Sequence, residues 1–125
     1  MAEQYPDRFI PFCNIDPRVL TNSVDAPLDR LLRYYRDQGC KGLGEVMPNV
    51  PIMDSMVQNL FKHMEDVGLP VIFDGPDQVG GDFGLYDAPG LPQLTHTLQR
   101  FVYWTCFGKP PPQLNFGRST ITLGS

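Results

Sequence analysis

The sequence predicts an α/β protein. Short apolar runs alternate with amphipathic helical segments three times between Phe9 and Phe101, and residues 69–73 have the continuous apolar character of a parallel strand buried on both faces. Acidic residues stand at the ends of two of the runs. Units of this kind bury a sheet only when further units follow, so the chain reads as a slice of a larger α/β fold. Its 125 residues, 42% hydrophobic and 19% charged, have the composition of one globular domain. A closed eight-stranded α/β barrel takes roughly 250 residues, about twice this length.

The first strand is expected at Phe9-Ile10-Pro11-Phe12-Cys13-Asn14-Ile15, closed by Asp16-Pro17, and its internal proline suits a strand start or an edge. The first helix follows from Pro27, with Leu28, Leu31, Leu32 and Tyr35 at helical spacing, Asp25 and Pro27 as start signals and Gly39 as the stop. A second strand is expected over residues 41–46. Pro48, Pro51 and Asp54 then introduce a helix whose apolar stripe is Met56, Val57, Leu60, Phe61, Met64 and Val67, ended by Gly68. Gln58, Asn59, Lys62, His63, Glu65 and Asp66 are assigned to its other face, which predicts a helix packed on one side and lying outside the sheet.

The third strand, residues 69–73, ends at Asp74. A glycine-rich loop leads from Gly75 to a third helix starting near Leu91, with Leu94, Leu98 and Phe101 on one stripe and Pro92 in the first turn. Residues 102–107 could form a fourth strand, and the aperiodic Pro, Ser, Thr and Gly text predicts a disordered tail over residues 108–125. The pattern alone fits either a barrel or an open doubly wound sheet.

Ten Lys and Arg against fourteen Asp and Glu, net −4, supply neither a basic face for nucleic acid nor a polybasic anchor for anionic lipid. The charged N-terminal segment and the lack of an apolar run of about 20 residues argue against a signal peptide and a membrane span. Cys13, Cys40 and Cys106 are odd in number and show no C-x-x-C spacing, so they are expected to be buried thiols in a reducing cytoplasm rather than a disulfide framework or a zinc knuckle.

In a parallel α/β sheet the carboxyl ends of the strands form the functional face, which singles out Asn14, Asp16, Glu45, Asp74 and Asp77. Strand alternation puts Lys41, Leu43 and Glu45 on one face with Gly42 and Gly44 toward the helices, so Glu45 is expected to point to the interior side of the sheet. A carboxylate there calls for a cation or a proton, making Glu45 a metal ligand or general base; a salt bridge to Lys41 or a nearby arginine is the structural alternative. Asp74 ends its strand where a ligand or base would sit, and Asp74-Gly75-Pro76-Asp77 is also an ordinary turn sequence. His63 and His96 fall in helical segments and read as surface histidines. The stretch Gly42-Leu43-Gly44-Glu45-Val46-Met47 lacks the third glycine of a dinucleotide fingerprint, Asp82-Phe83-Gly84 stands without the other parts of a kinase, and Gly80-Gly81 has no phosphate-loop lysine.

Several blocks resemble a known family. Tyr5-Pro6-Asp7-Arg8-Phe9-Ile10-Pro11-Phe12 with Asp16-Pro17-Arg18, then Gly39-Cys40-Lys41-Gly42-Leu43-Gly44-Glu45-Val46, then Gly68-Leu69-Pro70-Val71-Ile72-Phe73, then Gly84-Leu85-Tyr86-Asp87 with Gly90-Leu91-Pro92, are similar in order and spacing to the amidohydrolase-related metal-dependent hydrolases and decarboxylases. The resemblance covers residues 5–101 and implies a partial (β/α)8 TIM barrel of about three to four βα units. It implies a divalent metal, often zinc, that activates water against a small organic substrate, with Glu45 and Asp74 as catalytic and metal-binding carboxylates.

Two departures stand out: the family usually has a histidine where this chain has Asp74, and its next strand normally ends in Gly-His where this chain has Tyr103-Trp104-Thr105-Cys106-Phe107. The expectation is therefore a hydrolase fragment that is inactive alone and, with its open sheet edges, prone to aggregate. The alternative is a small non-catalytic α/β binding module that holds a polar ligand with the loop of residues 75–84. The codons of residues 103–106, read one nucleotide later, can encode Ile-Gly-His-Ala. Sequencing the coding DNA across residues 101–125 is expected to show that shifted frame continuing into further strand–helix units; an ordinary in-frame terminus would overturn this expectation.

Overall fold

The structure is a computed structural model and describes residues 2–73 and 84–101. The expected strand at residues 102–107, the tail, Asp74, Asp77 and the loop up to residue 83 lie outside the described residues.

The elements are β1 (Phe12–Cys13), α1 (Leu28–Asp37), β2 (Gly42–Val46), β3 (Val50–Pro51), α2 (Ser55–Val67), β4 (Val71–Phe73), β5 (Leu85–Tyr86) and α3 (Pro92–Arg100). The α/β class is as expected: β1, β2 and β4 form a parallel sheet in chain order, and β3 pairs in parallel with β5. No closed barrel is present among the described residues. Helices α1 and α2 form both crossovers of the larger sheet and pack on each other, which places them on one of its faces. No helix among the described residues is long and apolar enough to cross a membrane.

The core lies between that face and the helices. Leu43, Val46, Val71 and Phe73 from the strands meet Leu28 and Leu32 from α1, Val57, Leu60, Phe61 and Met64 from α2, and Leu94 and Leu98 from α3. Phe61 sits at the junction, its ring centroid 6.3 Å from Phe73 and 6.2 Å from Phe101. Asp54 caps α2 by accepting the backbone N–H groups of Met56 at 2.9 Å and Val57 at 3.3 Å, and Gly68 ends the helix in the left-handed region at φ 79°.

Helix α2 differs from its expected one-sided packing. Gln58 and Asn59 are buried, not solvated. The Gln58 amide donates to the Ile52 carbonyl at 2.9 Å and to the Thr97 hydroxyl at 3.1 Å, while the Asn59 amide donates to the Ala26 carbonyl at 3.0 Å. These residues lie off the apolar stripe yet still face protein, because α1 and α3 flank α2 on either side.

Strand β2 also departs from simple alternation. Leu43 pairs with Val71 and Val46 with Phe73, so three steps on β2 oppose two on β4, and the irregularity falls at Gly44 and Glu45. Leu43 and Val46 therefore both enter the core. Gly42 and Gly44 lie on the other face, opposite to expectation, where a Cβ on Gly42 would meet the Phe12 ring and one on Gly44 would come 2.8 Å from Ile72 Cβ. The bulge also leaves the Glu45 side chain exposed rather than interior.

The cysteines depart from expectation too. Cys13 and Cys40 are 27 residues apart in sequence but are joined as a disulfide, with Cα atoms 6.0 Å apart. The β1–α1–β2 crossover returns the chain beside its starting strand, which sequence spacing cannot reveal.

Asp87 anchors α3 from a distance. It is fully buried after β5, and its carboxylate accepts the backbone N–H groups of Ala88 at 2.7 Å, Gln93 at 3.2 Å and Leu94 at 2.8 Å. Asp87→Ala leaves the buried Leu94 N–H and the two part-buried N–H groups of Ala88 and Gln93 without their acceptor and is expected to lower unfolding stability by about 1–3 kcal/mol, measured by urea denaturation.

Candidate functional site

The carboxyl ends of β1 and β2 open onto a cleft of about 430 Å³, walled by Asn14, Ile15, Asp16 and Arg18 after β1 and by Glu45, Met47, Pro48 and Asn49 at the end of β2. Parallel pairing puts both strand ends on one side, so three of the residues singled out from the sequence, Asn14, Asp16 and Glu45, come together. Asp74 follows Phe73 at the end of β4 in the sequence; its own position, like that of Asp77, lies outside the described residues.

Local chemistry shapes the wall after β1. The Asn14 side-chain amide donates to the Glu45 backbone carbonyl at 2.8 Å and ties the two strand ends together. Asp16 turns its carboxylate back onto Arg18: one oxygen accepts the Arg18 backbone N–H and Nε–H, each at 2.8 Å, and the other meets the guanidinium terminus. This two-pronged contact holds the Asp16 carboxyl below the usual carboxylate range, with the Arg18 side-chain hydrogen bond as the main cause, and raises Arg18. Asp16 is thus committed to its arginine.

Glu45 is in the opposite state. Its carboxylate is exposed at the cleft and makes no hydrogen bond or ion pair among the described residues, so the expected alternative of a Lys41 salt bridge is not formed. On the far wall, Asn49 adopts φ 53° and its backbone N–H donates to the Gly84 carbonyl at 2.9 Å. That bond fixes Gly84 beside the cleft. Asn49 was not singled out from the sequence; its role comes from a backbone bond that no local motif announces.

The two histidines lie elsewhere. His96 is exposed on α3, while His63 is half-buried on α2 with Nδ1 3.8 Å from an Asp29 oxygen on α1, a correction to its reading as a surface residue. Among the described residues, no three His, Cys, Asp or Glu side chains are grouped to hold a metal ion.

The geometry carries a direct test. Because the Asp16 carboxyl is depressed in the folded state, its contribution to stability is present above the unfolded-state value and is lost as pH falls through the folded one. Arg18→Ala removes the main cause, so the Asp16 titration midpoint should rise toward the ordinary carboxylate value, read by carbon-detected NMR titration of its carboxyl. Comparison with known proteins adds no further constraint: no family model, no curated protein and no solved structure matches the chain.

Proposed function

We propose that the chain is part of a metal-dependent hydrolase or decarboxylase of the amidohydrolase-related type, acting on a small organic substrate at the carboxyl ends of its parallel strands and inactive alone. The observation that carries this reading is an unpaired carboxylate, Glu45, at the end of the central strand and facing a cleft. Two crossovers on one face with strands in chain order favour a partial (β/α)8 barrel over a doubly wound sheet, whose strand order reverses partway. In this reading Glu45 takes a proton from water or substrate, and Asp74 is the second carboxylate.

The described residues do not fit the zinc that the resemblance implies. The cleft offers oxygen donors, no histidine lines it among the described residues, and Asp16 is held by Arg18. Glu45 and the Asn14 side-chain oxygen suit a harder cation such as magnesium or manganese better. Titration of the purified chain with manganese and with zinc by calorimetry tests the reading. Binding that Glu45→Gln and Asp74→Asn each weaken at least about tenfold is expected; no binding, or equal binding by the variants, would overturn it.

The anchoring of Gly84 against Asn49 favours a second reading, a non-catalytic module in which the loop of residues 75–84 helps the cleft hold a polar ligand. A stable, metal-free protein that binds small polar molecules would place this reading first.

A further inference from the structure

We propose that Cys13 and Cys40 are a reversible redox couple whose disulfide clamps β1 onto β2 and thereby orders the cleft wall formed by residues 14–18. The backbone suits the bond: the Cα separation of 6.0 Å lies within the range disulfides take. Both cysteines are half-buried, so a soluble thiol or disulfide has a route to them.

The clamp acts at an edge strand of the sheet. Strand β1 pairs with β2 through only two residue pairs, Phe12 with Gly42 and Cys13 with Leu43, and lies at the edge of the sheet. Contacts beyond those include the Lys41 N–H to the Pro11 carbonyl at 2.8 Å, the Asn14 amide to the Glu45 carbonyl at 2.8 Å, and Ile15, which is buried in the core. The chain passes from Cys13 directly into Asn14, Asp16 and Arg18. Opening the disulfide therefore releases the start of the wall, whereas closing it shortens the free span from 27 residues to a covalent link.

The oxidant is a low-molecular-weight disulfide such as oxidised glutathione. A thiolate of one cysteine attacks it, one glutathione thiol leaves, and the second cysteine then displaces the remaining glutathione from the mixed disulfide. Two protein thiols become one disulfide, and the two electrons and two protons pass to two glutathione thiols. The couple acts on the wall whatever the cleft binds, so its test reads wall order rather than activity.

The full chain is reduced with dithiothreitol, or equilibrated with oxidised glutathione, and each form is followed by non-reducing peptide mapping, thermal melting and amide hydrogen exchange. The oxidised form should show a Cys13–Cys40 cross-linked peptide with Cys106 still open to alkylation, a melting temperature higher by roughly 10 °C, and exchange slowed about tenfold at residues 14–18. Dithiothreitol should reverse all three. Cys106→Ser should behave like the parent, while Cys13→Ser and Cys40→Ser should lose the response. If those two variants do not fold, the reduced and oxidised parent still supplies the comparison. Cross-links through Cys106, glutathione adducts in place of the pair, a bond that dithiothreitol does not open, or a cross-link that leaves exchange at residues 14–18 unchanged would each overturn the proposal.

Discussion

Helix α2 is buried on its apolar stripe and also beside it, and the remaining elements depend on how that second surface is satisfied. An amide placed in a core costs stability unless it finds partners. Gln58 finds them in the Ile52 carbonyl and the Thr97 hydroxyl, which links the approach to α2 with α3; Asn59 finds the Ala26 carbonyl, which fixes the entry to α1. Apolar contact alone would let three helices slide on a flat core. These directional bonds set their register, and the Phe61 ring between Phe73 and Phe101 locks the same junction to the sheet.

With α1 and α2 held on one face, the parallel strands deliver their carboxyl ends to one side, and the cleft follows. Two carboxylates near strand ends show how environment separates structure from availability. Asp87 is buried, but three backbone N–H groups saturate it and it serves α3. Glu45 is exposed because the β2 bulge rotates it out of the sheet, and among the described residues it has no partner. Asp16 lies between these cases, since its arginine neighbour two residues on absorbs its charge. The acidic character of the cleft therefore rests on Glu45.

The wall after β1 continues from an edge strand. It joins β2 through a two-residue ladder and one side-chain hydrogen bond, so a covalent link at Cys13 has its lever on the exposed Asn14, Asp16 and Arg18, while Ile15 among them is buried in the core. The opposite wall is braced differently, by the β3–β5 pairing and the Asn49 to Gly84 backbone bond.

Local chemistry made much of the fold legible in the sequence. The spacing of Leu28, Leu31, Leu32 and Tyr35, the Asp54 cap and the Gly68 stop specify α1 and α2 because helix periodicity and end satisfaction are nearest-neighbour properties. The candidate positions Asn14, Asp16 and Glu45 were legible too, since parallel strands always present their carboxyl ends together. The β3–β5 pair, the burial of Gln58 and Asn59, the bulge that turns Glu45 outward, the distant cap at Asp87 and the meeting of Cys13 with Cys40 were decided by tertiary structure. Each depends on which segments come into contact after the crossovers form, and the energy of an unsatisfied amide, an extra strand residue or a thiol pair is set by those neighbours and not by the residues beside it in the chain.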